Sequence, residues 1–256
     1  MTLSIDLAWL TGTLLLAARI AAATVLTPVF GPTQIPAPVR VLIALALSAF
    51  LLLAIPIALP PLESAAGLAV ATVGELLLGA SLAFGFLVAY SATQLAGRVL
   101  DIQLGYGAAS VLNPTTQTPA PLIGTVFGMA AVAVFLAMDG HHVLLRALAL
   151  SVEHYPPGTL AFDHDFSEHL TFSGAMFTFG LALAAPVMLS LLLSDIALAV
   201  MARSMPQLNI FVLSFSVKIV LGLIGLAISI KFAGGVLTAL FESTWRFWEG
   251  VVGTDG

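Results

Sequence analysis

Three charged side chains, Arg19, Glu75 and Lys218, stand inside long apolar runs of this 256-residue chain. Insertion scales charge about 2.5–3.5 kcal/mol for an Arg, Lys or Asp at the centre of a spanning helix, so each such group needs a partner or a task. The tasks available are a proton relay, a counter-ion for a substrate, or the polar lining of a channel. A relay is built from a chain of titratable groups, and no second carboxylate lies in register with Glu75. Salt bridges between helices or subunits, or snorkelling, are the simpler reading. Asp101, Asp195 and Arg203 sit near the ends of apolar runs and join this set of buried or interfacial charges.

The segment FDHDFSEH holds Asp163, His164, Asp165, Glu168 and His169, all possible metal ligands. Its two histidines are five residues apart, a poor match to the i, i+4 spacing that puts two ligands on one helical face, so it reads as a solvated acidic loop. His141 and His142 follow Asp139-Gly140 at an expected helix start, where Asp139 would cap the exposed N–H groups. Cysteine is absent, which removes thiolate nucleophiles and Cys-ligated metals. No G-x-S-x-G, H-E-x-x-H or P-loop pattern occurs. No catalytic residue, metal or cofactor is expected.

The elements that carry these residues are hydrophobic throughout. Apolar residues make up 60% of the chain and charged ones 8%, against roughly a quarter charged in soluble domains, so this is an all-α integral membrane protein of helical hairpins. Strand-like alternation over about ten residues, the barrel signature, is absent. Six stretches reach the about 17–25 residues that a spanning helix needs: Leu7–Thr27, Val41–Leu59, Gly67–Tyr90, Leu122–Met138, Phe172–Ser194 and Ile210–Ile230, with an amphipathic tail from Phe232 to about Trp248. The N-terminal run has no basic flank or A-x-A-like site and reads as a retained segment. With thirteen acids against eight bases and no basic patch, nucleic acid is not an expected partner.

The connections are uneven. Pro28, Pro32, Pro36 and Pro38 fix a non-helical turn between the first two segments. In SDIALAVMARSMPQLN the helix can extend to Arg203 before Pro206 enforces a second hairpin. A short amphipathic helix is expected over His141–His154, followed by Pro156-Pro157-Gly158. Arg40, Arg98 and Arg203 on one side balance Arg146, Lys231 and Arg246 on the other, a tie under the positive-inside rule; the acidic 139–171 connection leans towards the periplasm. Ala120, Gly124 and Gly128 recur every four residues and suit close helix packing, although glycine is common in membrane helices generally.

The one long break in the hydrophobic body is Arg98–Pro121, RVLDIQLGYGAASVLNPTTQTPAP. Irregular backbone cannot face lipid, so at membrane depth it must be buried in protein or line a water-filled cavity. Arg98 and Asp101 fit a helix end that anchors the break. Gly105 and Gly107 permit unusual backbone angles, while Pro114, Pro119 and Pro121 keep the rest from becoming helix.

The runs ARSMPQLNIFVLSFSVKI at 202–219 and LNPTTQTPAPLIGTVFGMAAVAVFLAMDGHHVLLRAL at 112–148, with GPTQIPAPVR at 31–40, resemble the flagellar biosynthetic protein FliR family, the R-type subunit of the type III export gate. The resemblance covers nearly the whole chain. It implies one copy per complex, wound with P-type and Q-type subunits into a channel for unfolded flagellar proteins, with a switch-type (FlhB-like) subunit as a further partner. Residues 1–194 would be the P-type-like part and 195–256 the Q-type-like hairpin and tail. It also implies a place in the bacterial inner membrane and flagellar basal body, with the complex projecting to the periplasmic side.

In that family a loop is thought to plug the closed channel, and the matching positions are Gly105–Pro121, with Gly105, Tyr106, Gly107, Val111, Leu112, Asn113, Pro114, Pro119 and Pro121 as its plug residues. Ala108 and Val111 stand where some members carry bulky aromatics, leaving Tyr106, Val111 and Leu112 as the larger side chains. The alternatives are a virulence-type export-gate subunit and a stand-alone secondary transporter or channel. The latter is weakened by the lack of matched inverted halves.

Overall fold

The computed structural model describes residues 7–27, 36–57, 59, 64–105, 122–159, 167–204 and 210–252. Among them the secondary structure is helical and no strand occurs. The helices are α1 (Leu7–Val25), α2 (Ala37–Ala54), α3 (Ala65–Leu104), α4 (Leu122–Ala137), α5 (Gly140–His154), α6 (Ser167–Ser204) and α7 (Ile210–Val252). Five of these are long and apolar enough to cross a membrane, or six if α4 and α5 together make one span.

Three helices outrun the apolar stretches read from sequence. Helix α3 has 40 residues and continues through Arg98 and Asp101 to Leu104, because the small and polar residues of SATQLAGRVLD pack as helix rather than breaking it. Helix α6 runs 38 residues and accommodates Pro186 in its interior, which spanning helices tolerate when neighbours re-satisfy the freed carbonyl. Helix α7 runs without interruption through Lys231 to Val252, so the expected separate tail is its continuation.

The described residues fall into two compact units. The first comprises residues 1–88, 139–172 and 242–256. In it α1 packs along α2, and the buried positions of α1, among them Gly12, Leu16, Arg19, Ile20 and Ala23, recur every three to four residues as one face of a helix requires. Helix α5 buries Leu144, Ala147, Leu148, Ser151 and Val152 in the same manner. Trp248 closes this core: it is buried, donates its indole N–H to the Leu82 carbonyl at 2.7 Å, and lies where a side chain on Gly85 would stand.

The second unit comprises residues 89–138 and 173–241. Its α4 buries Ile123, Phe127, Ala131 and Phe135 along one stripe and Gly124 and Gly128 beside it. Phe135 meets Phe241 with ring centroids 5.3 Å apart. Within the α6–α7 hairpin, Gly225 leaves room for Ser190 and Val187, and Gly222 for Leu104 of α3.

Candidate functional site

Arg19 and Glu75 pair with each other. The guanidinium Nε lies 2.6 Å from Glu75 Oε2, and neither side chain has exposed surface. Arg19 Nη1 donates to the Ser151 carbonyl at 2.8 Å and to Ser151 Oγ at 3.1 Å, and Nη2 donates to the Tyr155 carbonyl at 2.8 Å. The second carboxylate oxygen, Oε1, accepts the Gly158 N–H at 3.0 Å.

Each element is placed for this by local chemistry. Gly79, one turn beyond Glu75, lets α1 approach backbone to backbone, since a Cβ there would fall on the Arg19 carbonyl oxygen. Ser151 and Tyr155 lie at the C-terminal end of α5, where a cation is favoured by the helix dipole; the Ser151 carbonyl also accepts the Tyr155 N–H at 3.0 Å, so Arg19 shares it with the helix. Gly158 turns with φ 89°, which glycine adopts without strain, and so presents its N–H to the carboxylate. This arrangement ties α1, α3, α5 and the Pro156-Pro157-Gly158 turn together through a buried, hydrogen-bonded ion pair. It presents no open position for a reacting group.

Asp101 does a comparable job in the second unit. It is buried, and its Oδ1 accepts the Ile123 N–H at 3.4 Å. That N–H belongs to the first turn of α4, where intrahelical acceptors are missing. A Cβ on Gly97 would fall on the Gly124 backbone, so α3 and α4 touch main chain to main chain there. Gln94 donates to the Gly124 carbonyl at 3.2 Å, and Gly128 abuts Tyr90 and Gln94. These contacts fix both stems of the 105–121 connection. Gly105, the last described residue before it, has φ 83° and donates to the Ile102 carbonyl at 3.1 Å. Tyr106, Gly107, Val111, Leu112, Asn113, Pro114, Pro119 and Pro121 lie outside the described residues, as does Ala120.

Lys218 finds Asp195 at 2.8 Å across the α6–α7 hairpin. Arg203 is exposed in the last turn of α6. Asp139 does not cap α5: its backbone is left-handed with φ 55° and its side chain makes no cap hydrogen bond. The carboxylate instead lies 3.4 Å from His142 Nδ1. Asp139, His141 and His142 bring one ligand atom each within 4.8 Å of one another, but at the positive end of a helix, which disfavours a cation. Of the acidic connection, residues 163–165 lie outside the described residues. His169 is not solvated loop: it hydrogen-bonds Ser81 Oγ at 2.6 Å and sits among the rings of Phe84 and Phe247. Ser151, Gly158 and Trp248 were not singled out in the sequence. Gly158 after Pro-Pro marks a turn, but nothing local marks the Ser151 carbonyl as the acceptor for a distant arginine.

Residues 10–244 match the family described as bacterial export proteins, family 1. The chain is 33% identical over 238 residues to the flagellar biosynthetic protein FliR of Bacillus subtilis (strain 168), covering 90% of both chains. It is 27% identical to the protein of that name from Aquifex aeolicus (strain VF5), over 87% of this chain and 86% of the relative. It is also 30% identical to the secretion system apparatus protein SsaT of Salmonella typhimurium, over 62% of each.

Proposed function

We propose a mechanical role for this chain from the premise that it belongs to the bacterial export proteins, family 1, and within them to the flagellar biosynthetic protein FliR family. It is a membrane-embedded component of a type III protein export apparatus. The proposal is that it supplies one sector of the channel wall and a plug, residues 105–121, for the passage of unfolded flagellar subunits. Its neighbours in the assembly are P-type and Q-type subunits and the switch-type subunit, with residues 1–194 in the P-type-like role and 195–256 in the Q-type-like one. The complex sits in the inner membrane and projects to the periplasmic side. The alternative membership, a virulence-type secretion system, has support from the likeness to SsaT. The flagellar reading has the longer match, 90% of the chain.

The observation that supports a plug is the treatment of its stems. Gly97 on Gly124, Asp101 on the Ile123 N–H and Gln94 on the Gly124 carbonyl hold the two helix ends in register. A connection that is to seal a pore and yield to cargo needs fixed ends. Deleting Val111–Thr118 is expected to raise ion leakage through the assembled complex, read as conductance in planar bilayers. Unchanged conductance in a complex shown to be intact would sink the plug assignment.

A further inference from the structure

Asp195 is out of keeping with its surroundings. It lies on a helix whose neighbouring outward positions, Leu192, Ile196 and Val200, are exposed and apolar, as are Val220 and Ile224 on the paired helix. Its pairing with Lys218 uses Oδ1 and leaves 48% of the Asp195 side chain exposed, against 23% for Lys218. At 100° per residue, Asp195 falls at the edge of the buried stripe Leu191, Ser194 and Leu198 and turns towards Leu192 and Ile196. The inner side of the hairpin is closed nearby, since Gly225 already meets Ser190 and Val187. About half of the Asp195 side chain is thus left open beside exposed apolar residues.

Hydrocarbon has no donor for a carboxylate, and ionisable groups in spanning helices face protein or water-filled cavities rather than lipid. A carboxylate presented in an apolar field selects its neighbour by charge. We propose that the face of α6 around Leu192, Asp195 and Ile196 is a docking surface for an apolar helix of another membrane chain carrying a Lys or Arg, whose cation completes the coordination of Asp195. Asp195 is thus shared between Lys218 of its own chain and a base on the partner. The inference rests on the export-gate reading, which supplies such partner chains.

The test uses the full chain, tagged, co-expressed with the P-type and Q-type membrane subunits of its own system and purified in mild detergent. The exchange variant D195K/K218D keeps an opposite pair within the chain but puts a cation where the partner's base arrives. It is expected to reach the membrane at the wild-type level, with an unchanged melting temperature, while retaining at least tenfold less co-purifying subunit. D195E is expected to retain it. Recovery of wild-type co-purification by the exchange would overturn the inference, because Asp195 would then serve its own chain alone. A photo-crosslinking residue at Leu192 gives a reading that does not depend on the charge exchange. An adduct with a membrane subunit supports the surface, and adducts with lipid only, or none, overturn it. If the wild-type chain itself brings down no subunit, the export-gate reading fails first, and this inference with it.

Discussion

A guanidinium with no exposed surface, as at Arg19, is tolerable only when charge and hydrogen-bond donors are all answered. Here Glu75 answers the charge, Nη1 donates to the carbonyl and hydroxyl of Ser151, and Nη2 donates to the Tyr155 carbonyl. Removing one partner strands the other, which typically costs about 3–5 kcal/mol for a buried pair, whereas replacing both by apolar residues is often near neutral. Glu75→Gln is therefore expected to lower the melting temperature of the detergent-solubilised chain markedly, and Arg19→Met likewise. The double variant R19M/E75M is expected to recover part of the loss. Recovery stays incomplete because the Gly158 N–H and the end of α5 lose their partners. A double variant as unstable as the sum of the singles would show that the ion pair itself is not the term that matters. The sequence marks Arg19 and Glu75 as needing partners and favours salt bridges, but it gives no topology to say that these two residues, 56 positions apart, are each other's partner.

At the scale of elements, glycine decides how close helices come. Gly97→Ala would drive a methyl group into the Gly124 backbone, and backbone cannot swing aside as a side chain does. Overpacking of this kind costs about 1–3 kcal/mol, so α3 and α4 should separate and the melting temperature fall. Gly174→Ala serves as the contrast, since a Cβ there meets nothing within 4 Å, and the gain in helix propensity is worth up to about 1 kcal/mol. Equal melting of the two variants would refute the close-approach argument. The apolar stretches could be read from hydropathy, because burial in lipid or protein selects the same residue types, and both hairpins from the prolines between them. Helix lengths could not. Ser91, Thr93, Gln94 and Arg98 lower the hydropathy of the second half of α3, yet that half is helix: Thr93 bonds the Tyr90 carbonyl of its own helix, Gln94 bonds the Gly124 carbonyl of α4, and Arg98 is exposed. The stripe Gly124 and Gly128 was visible as spacing, but which helix it meets was not.

At the scale of the molecule, the first unit is completed by its most distant parts. Trp248 reaches Leu82 across 166 residues, and Phe172 stacks on Phe247 with centroids 4.6 Å apart. Truncation after Ser243 is accordingly expected to give a chain that enters the membrane but is cut rapidly by protease. Wild-type resistance would show that the end of α7 is dispensable. The large apolar side chains exposed on α2, α6 and α7 suit both lipid and neighbouring subunits. The Arg19 pair also sets a timetable for biosynthesis. Glu75 follows Arg19 by 56 residues and Ser151 by 132. At roughly 5–20 residues synthesised per second, the arginine waits about 3–11 s for its counter-charge and about 7–26 s for the end of α5. During that interval α1 is a helix carrying a lone cation. The insertion machinery must shelter it, or the nascent chain must keep it at the membrane surface, until the third helix has been made.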